Sequence, residues 1–126
     1  MIDRGLAVFA ALNMLVAVGA GAFGAHGLRR ILSPEMLAVW QTGVTYQIAH
    51  ALGILFIALA AARMPTANLH LAGWFMGAGI VLFSGSLYLL ATTGPRWLGM
   101  VTPLGGLAFI IGWAMVAWMI WRAPQV

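Results

Sequence analysis

Charged side chains interrupt this chain at a few points only: Asp3 and Arg4, then Arg29, Arg30 and Glu35, then Arg63, Arg96 and Arg122. Between them run four long uncharged stretches, each near or above the roughly 20 residues that a helix needs to cross a bilayer. The pattern predicts spans over residues 5–25, 42–62, 71–91 and 100–121. Hydrophobicity is continuous rather than alternating, which selects helices over barrel strands. Ser33-Pro34-Glu35 reads as a helix start, with Ser33 as N-cap, Pro34 in the first position and Glu35 beside the positive end of the dipole. The helix from Pro34 therefore begins in the interface, with Trp40 at headgroup depth, and runs unbroken into the second span. The connections Arg63–His70 and Thr92–Gly99 are short, so neighbouring spans should be antiparallel. The predicted fold class is all-α: one transmembrane domain over residues 1–126, an integral membrane four-helix up-down bundle. Arg4, the apolar run and the small residues Gly19–Ala22 also fit a secretory leader, but apolar character continues past Ala22, and a span is the expectation.

Composition narrows the classes further. Hydrophobic residues make up 63% of the chain and charged residues 6%, with a mean hydropathy of +1.02. Soluble domains carry about a quarter of their residues as charges, so an independently soluble fold is excluded. The absence of cysteine excludes thiolate metal sites, disulfides and a cysteine nucleophile. The net charge of +4 comes from six arginines with no cluster among them, which gives no footing for nucleic acid. Membrane lipid is the expected surrounding. Arg4, Arg63 and Arg122 lie on one side, and Arg29, Arg30 and Arg96 on the other, so the positive-inside rule is tied.

Apolar side chains gain little by leaving lipid for one another, so small residues and buried polar contacts must hold the helices together. At about 100° per residue, Asn13 shares a face of the first span with Ala10, Ala17, Ala20, Gly21 and Gly24. The third span gathers Gly73, Gly77, Ser84, Tyr88 and Thr92 on one face, and the fourth gathers Gly99, Thr102, Gly105, Gly106 and Gly112. Gly24, Gly73, Gly77, Gly105 and Gly106 are the expected packing positions. The second span is the most polar, with Thr42, Tyr46 and His50 at four-residue spacing and Gln47 within the same arc. His26, Thr42, Tyr46, Gln47, His50, Ser84, Tyr88 and Thr102 together form a candidate polar intramembrane site. One reading makes it a pocket or proton relay with His50 as the titratable member. The other makes it interhelical glue worth about 0.6 kcal/mol per hydrogen bond.

No catalytic set can be assembled. Asp3 and Glu35 are the only carboxylate side chains, and both lie near membrane edges. Ser84 and Ser86 have no evident base, and there is no glycine-rich phosphate loop. His26, His50 and Glu35 are too few for a metal centre without further ligands, so neither metal nor cofactor is expected. His26, between Ala25 and Gly27, is suited to capping helix-end carbonyls. His70 is expected to be interfacial, Arg29 and Arg30 to anchor at phosphate level, and the six tryptophans to form an aromatic belt.

Four segments resemble a known family. They are Gly21-Ala-Phe-Gly-Ala-His26-Gly-Leu28, Gln41-Thr-Gly-Val-Thr-Tyr46-Gln47-Ile-Ala-His50, Leu82-Phe-Ser-Gly-Ser-Leu-Tyr88 and Thr102-Pro-Leu-Gly-Gly106. In this order they are similar to domain of unknown function 423, small bacterial inner-membrane proteins akin to eukaryotic transmembrane protein 256. The resemblance implies an inner-membrane protein with cytoplasmic termini and brings no activity, substrate or cofactor. Two functions compete. One is a non-enzymatic module binding or passing a small molecule, lipid or proton through the polar site. The other is an assembly subunit whose small-residue faces dock another membrane protein or a second copy. A lipid-modifying enzyme ranks third.

Overall fold

Asp3 and Ser33 start the first two helices because each offers a short side-chain acceptor to a backbone N–H that has no partner within the helix. Asp3 Oδ1 accepts from the Leu6 N–H at 3.2 Å, and Ser33 Oγ from the Met36 N–H at 3.2 Å. The computed structural model describes residues 1–65 and 67–125. Among them, four helices are long and apolar enough to cross a membrane. They are α1 (Arg4–His26), α2 (Pro34–Ala60), α3 (Leu69–Thr93) and α4 (Leu98–Arg122). A short 3₁₀ turn over Leu28–Arg30 continues α1. Gly94, at φ 90°, ends α3 in the left-handed region that favours glycine. The all-α membrane bundle expected from the hydropathy pattern is the fold observed, and α2 begins at Pro34 as its capping residues predict.

Small side chains decide which helices meet. On α1, Leu6, Ala10, Ala17 and Gly24 are buried at intervals of four and seven residues, and this strip lies along α2. The Asp3 N–H donates to Ala58 O at 2.9 Å, and Trp40 Nε1 donates to Ala20 O at 2.8 Å, so the two helices run antiparallel. Of an 18-residue apolar stretch in each helix, 50% is buried in α2 and 44% in α3, against 17% in α1 and 22% in α4. The bundle therefore has α2 and α3 as its inner pair, with α1 against α2 and α4 against α3. The larger apolar core fills the half of the bundle nearer Arg122, around Leu6, Ile54, Ile57, Met76 and Phe109. A smaller one, nearer Arg30, joins Leu28, Trp40, Val44 and Ala91. Trp40 is thus packed between helices. Trp97, Trp118 and Trp121 remain exposed near helix ends.

One break in regularity redirects side chains. Residues Ile80–Ser84 of α3 form a π turn, flanked by Gly79 and Gly85, and the Gly85 N–H bonds five residues back to Ile80 O. A π turn absorbs an extra residue and resets the helical phase. Gly73 and Gly77, before it, face Leu6 and Phe9 of α1. Ser84 and Tyr88, after its start, face α2. The single face expected for these four residues is therefore divided between two neighbours, and Thr92 is exposed.

Candidate functional site

The buried polar side chains form separate contacts, each tying two or three helices. Gln47 is the centre of the first. Its Nε2 donates to Asn13 Oδ1 of α1 at 3.1 Å, and its Oε1 accepts from the Tyr88 hydroxyl of α3 at 2.7 Å. Asn13 Nδ2 in turn donates to Phe9 O at 3.0 Å. Trp40 covers this contact, its ring 4.5 Å from that of Tyr88. Ser84 Oγ donates to Gly43 O at 2.7 Å, a second link between α2 and α3. Gly43 must lack a side chain there, because a Cβ would lie 2.9 Å from the Tyr88 ring. A third contact joins α3 to α4. Ser86 Oγ donates to Phe83 O at 2.9 Å, and lies 2.6 Å from Thr102 Oγ1. These bonds give each fully enclosed member at least one partner within the bundle.

His50 is different. It lies on the α4 side of α2, with its ring stacked on Phe109 at 3.5 Å between centroids and 10° between planes. Nδ1 lies 2.8 Å from Tyr46 O. A carbonyl only accepts, so Nδ1 carries the proton, and in the neutral ring Nε2 is left as an acceptor. Among the described residues no donor bonds to Nε2. Every fully enclosed side-chain nitrogen or oxygen there has a partner, so Nε2 is not fully enclosed, although His50 as a whole is buried at 7% exposed. Tyr46 and Trp113, each 42% exposed, flank it, and Phe83 closes the wall against Tyr46 at 4.4 Å. The result is an aromatic cradle on the α2–α4 seam with one polar atom in it.

Of the candidate site residues, Gln47 and Tyr88 meet, and Tyr46 and His50 meet, whereas Ser84 bonds to Gly43 O and Thr102 to Ser86, which was not a candidate. Thr42 stands apart, on the outer side of α2, with its hydroxyl donating to Ala38 O at 3.0 Å. His26 is exposed at the end of α1, two residues beyond Gly24, which packs against Trp40. His50 lies ten residues further along α2, about 15 Å of helical rise away. Among the described residues, no three His, Cys, Asp or Glu side chains are grouped to hold a metal. The packing glycines lie against neighbours: a Cβ on Gly24 would be 2.7 Å from the Trp40 ring, and one on Gly77 2.9 Å from Phe9. Gly73 abuts Leu6 and Gly105 abuts the Phe83 backbone, whereas Gly106 has only an ordinary contact at 3.9 Å. Gly53, Gly79 and Gly112 serve the same purpose, although the face analysis did not single out Gly53 or Gly79.

A further constellation had no signal in local spacing. Asp3 and His70, 67 residues apart, are bonded through Asp3 Oδ2 and His70 Nδ1. Trp74 Nε1 donates to His70 Nε2 at 2.8 Å. An indole N–H only donates, so this arrangement requires a neutral His70 with its proton on Nδ1. The hydrogen bond from His70 holds the Asp3 carboxyl below its ordinary value of 3.8. Only the His70–Trp74 spacing of four residues was readable in advance.

Residues 20–106 match the family described as "Protein of unknown function (DUF423)". The chain is 52% identical over 110 residues to UPF0382 membrane protein YwdK of Bacillus subtilis, covering 86% of this chain and 89% of that protein. It is 49% identical over 109 residues to a UPF0382 membrane protein of Staphylococcus saprophyticus, covering 86% and 90% respectively. No solved structure matches the chain.

Proposed function

The chain belongs to the DUF423 family of proteins of unknown function, and we propose that it holds a bilayer-dissolved small molecule bearing a hydroxyl group, bound at His50. In this reading it is a non-enzymatic module of the inner membrane with cytoplasmic termini. That it is a multi-pass membrane protein follows from its four spans and from its relatives. The single observation that supports the binding reading is the unpartnered Nε2 of His50 at the α2–α4 seam. An acceptor open to hydrocarbon is costly, and a donor arriving from the bilayer relieves that cost. The walls of Tyr46, Phe83, Phe109 and Trp113 suit a flat or ring-bearing ligand, and a mostly apolar site with few polar groups is the usual form of a small-molecule pocket.

Binding is better supported than passage, because the polar contacts are separate and neither Gln47 nor His50 lines the cavities near the helix ends. Docking through the glycine faces has less support, since Gly73, Gly77 and Gly105 are covered within the chain. The test is extraction of wild type and His50→Phe with their native lipid, followed by mass spectrometry of what accompanies each. Phenylalanine keeps the stack on Phe109 and removes the acceptor. The expected result is a hydroxyl-bearing apolar compound enriched about tenfold with wild type, the net worth of one hydrogen bond. The same complement in both proteins would contradict the proposal.

A further inference from the structure

The far end of α4 from Thr102 borders a cavity. This cavity, of about 500 Å³, opens between the start of α3, the connection before it and the last turns of α4. Met64, Met115 and Met119 form its apolar side, and Asn68, Trp118 and Arg122 its polar rim. We propose that this cavity seats the phosphodiester headgroup of an anionic membrane phospholipid, with the adjoining acyl region against the methionines.

Several observations converge on that occupant. Arg122 closes a 25-residue spanning helix, so its guanidinium lies where headgroups begin. The guanidinium is 5.4 Å from the centroid of the Trp118 ring. Stacking on the aromatic face orients it while leaving its N–H edge free for a bidentate bond to phosphate. No acidic side chain competes for this cation: Asp3 is bonded to His70, and Glu35 lies in the first turn of α2, at the other end of the bundle. Asn68 stands at the N-cap of α3 without making a capping bond, and among the described residues its amide has no other partner, which suits it to the rim. Three thioether side chains, flexible and polarizable, adapt to an irregular apolar guest. A cationic rim above an apolar wall, at the depth of the interface, matches a negatively charged amphiphile and no other class as well. The site is separate from His50, and the His50→Phe variant leaves it intact.

Native mass spectrometry of the full chain, titrated with phosphatidylglycerol, phosphatidylcholine or inorganic phosphate, tests the proposal. Phosphatidylglycerol should bind saturably at one site, about tenfold more tightly than phosphatidylcholine, and inorganic phosphate should not displace it. Arg122→Gln should abolish the preference. Arg63→Gln, which removes an arginine at the same membrane side but outside the cavity, should keep it. Asn68→Asp sets a carboxylate on the rim and preserves a good N-cap, so it should weaken phosphatidylglycerol even if Arg122→Gln fails to fold. Equal binding of the two lipids, or equal loss in Arg63→Gln and Arg122→Gln, would overturn the site in favour of diffuse surface attraction. Displacement by inorganic phosphate would overturn the assignment to a lipid.

Discussion

Asp3 does two things at once: one carboxylate oxygen caps α1 and the other holds His70 at the start of α3. Because the His70 hydrogen bond lowers the Asp3 pKa, the folded protein binds that proton less readily than the unfolded chain does. The contact therefore stabilises the fold above the ordinary value of 3.8, and its contribution disappears as pH falls through the depressed folded value. Asp3→Asn keeps the cap and removes the charge. Unfolding in lipid nanodiscs should show wild type more stable than Asp3→Asn above 3.8, with the difference closing below it; a difference independent of pH would contradict this account. Single residues were legible in the sequence where chemistry forced a role. Asn13, Gln47 and Tyr88 had to find partners away from lipid, and they find one another. Thr42 was misleading because a threonine hydroxyl can satisfy itself on its own helix, here on Ala38 O, and so needs no interior position. The Asp3–His70 bond was invisible because nothing in a sequence reports contact between residues 67 positions apart.

Helix-scale features divide along the same line. The four spans follow from length and hydropathy, and the start of α2 follows from its Ser33 cap, since both depend on neighbouring residues alone; α3 and α4 begin without a side-chain cap bond. The faces do not, because a constant 100° rotation fails across the π turn at Ile80–Ser84. Gly105 belongs to that irregularity: it sits against the Phe83 backbone, where a Cβ would fall on the Phe83 main chain. Backbone cannot move aside as a flexible side chain can. Gly105→Ala should therefore destabilise the protein by about 1–3 kcal/mol, the usual cost of overpacking. Gly99→Ala, with nothing within 4 Å, should be neutral or stabilising by about 0.5–1 kcal/mol through helix propensity. Unfolding titrations in mixed micelles compare the two, and equal effects would show that α3 and α4 do not approach as described.

At the scale of the whole molecule, the bundle closes its interior and leaves its polar capacity at defined places on the surface. Its inner pair, α2 and α3, is joined by the Ser84–Gly43 and Tyr88–Gln47 hydrogen bonds. The exception to such pairing is the Nε2 of His50, a buried residue without a described donor on that atom, at the seam where α2 meets α4 through aromatic rings. Sequence analysis identified His50 as the intramembrane titratable group, but not that it would be separated from Gln47, because only the packed bundle shows which helix each side of α2 faces. The most direct test is ¹⁵N NMR of histidine-labelled protein in lipid nanodiscs, with the His50 signal assigned through His50→Phe and the chain's other two histidines as internal references. The account predicts a neutral ring protonated on Nδ1, with a bare Nε2 whose resonance moves toward a hydrogen-bonded value when native membrane extract is added. A proton on Nε2 with Nδ1 bare, or an Nε2 resonance unmoved by the extract, would contradict it.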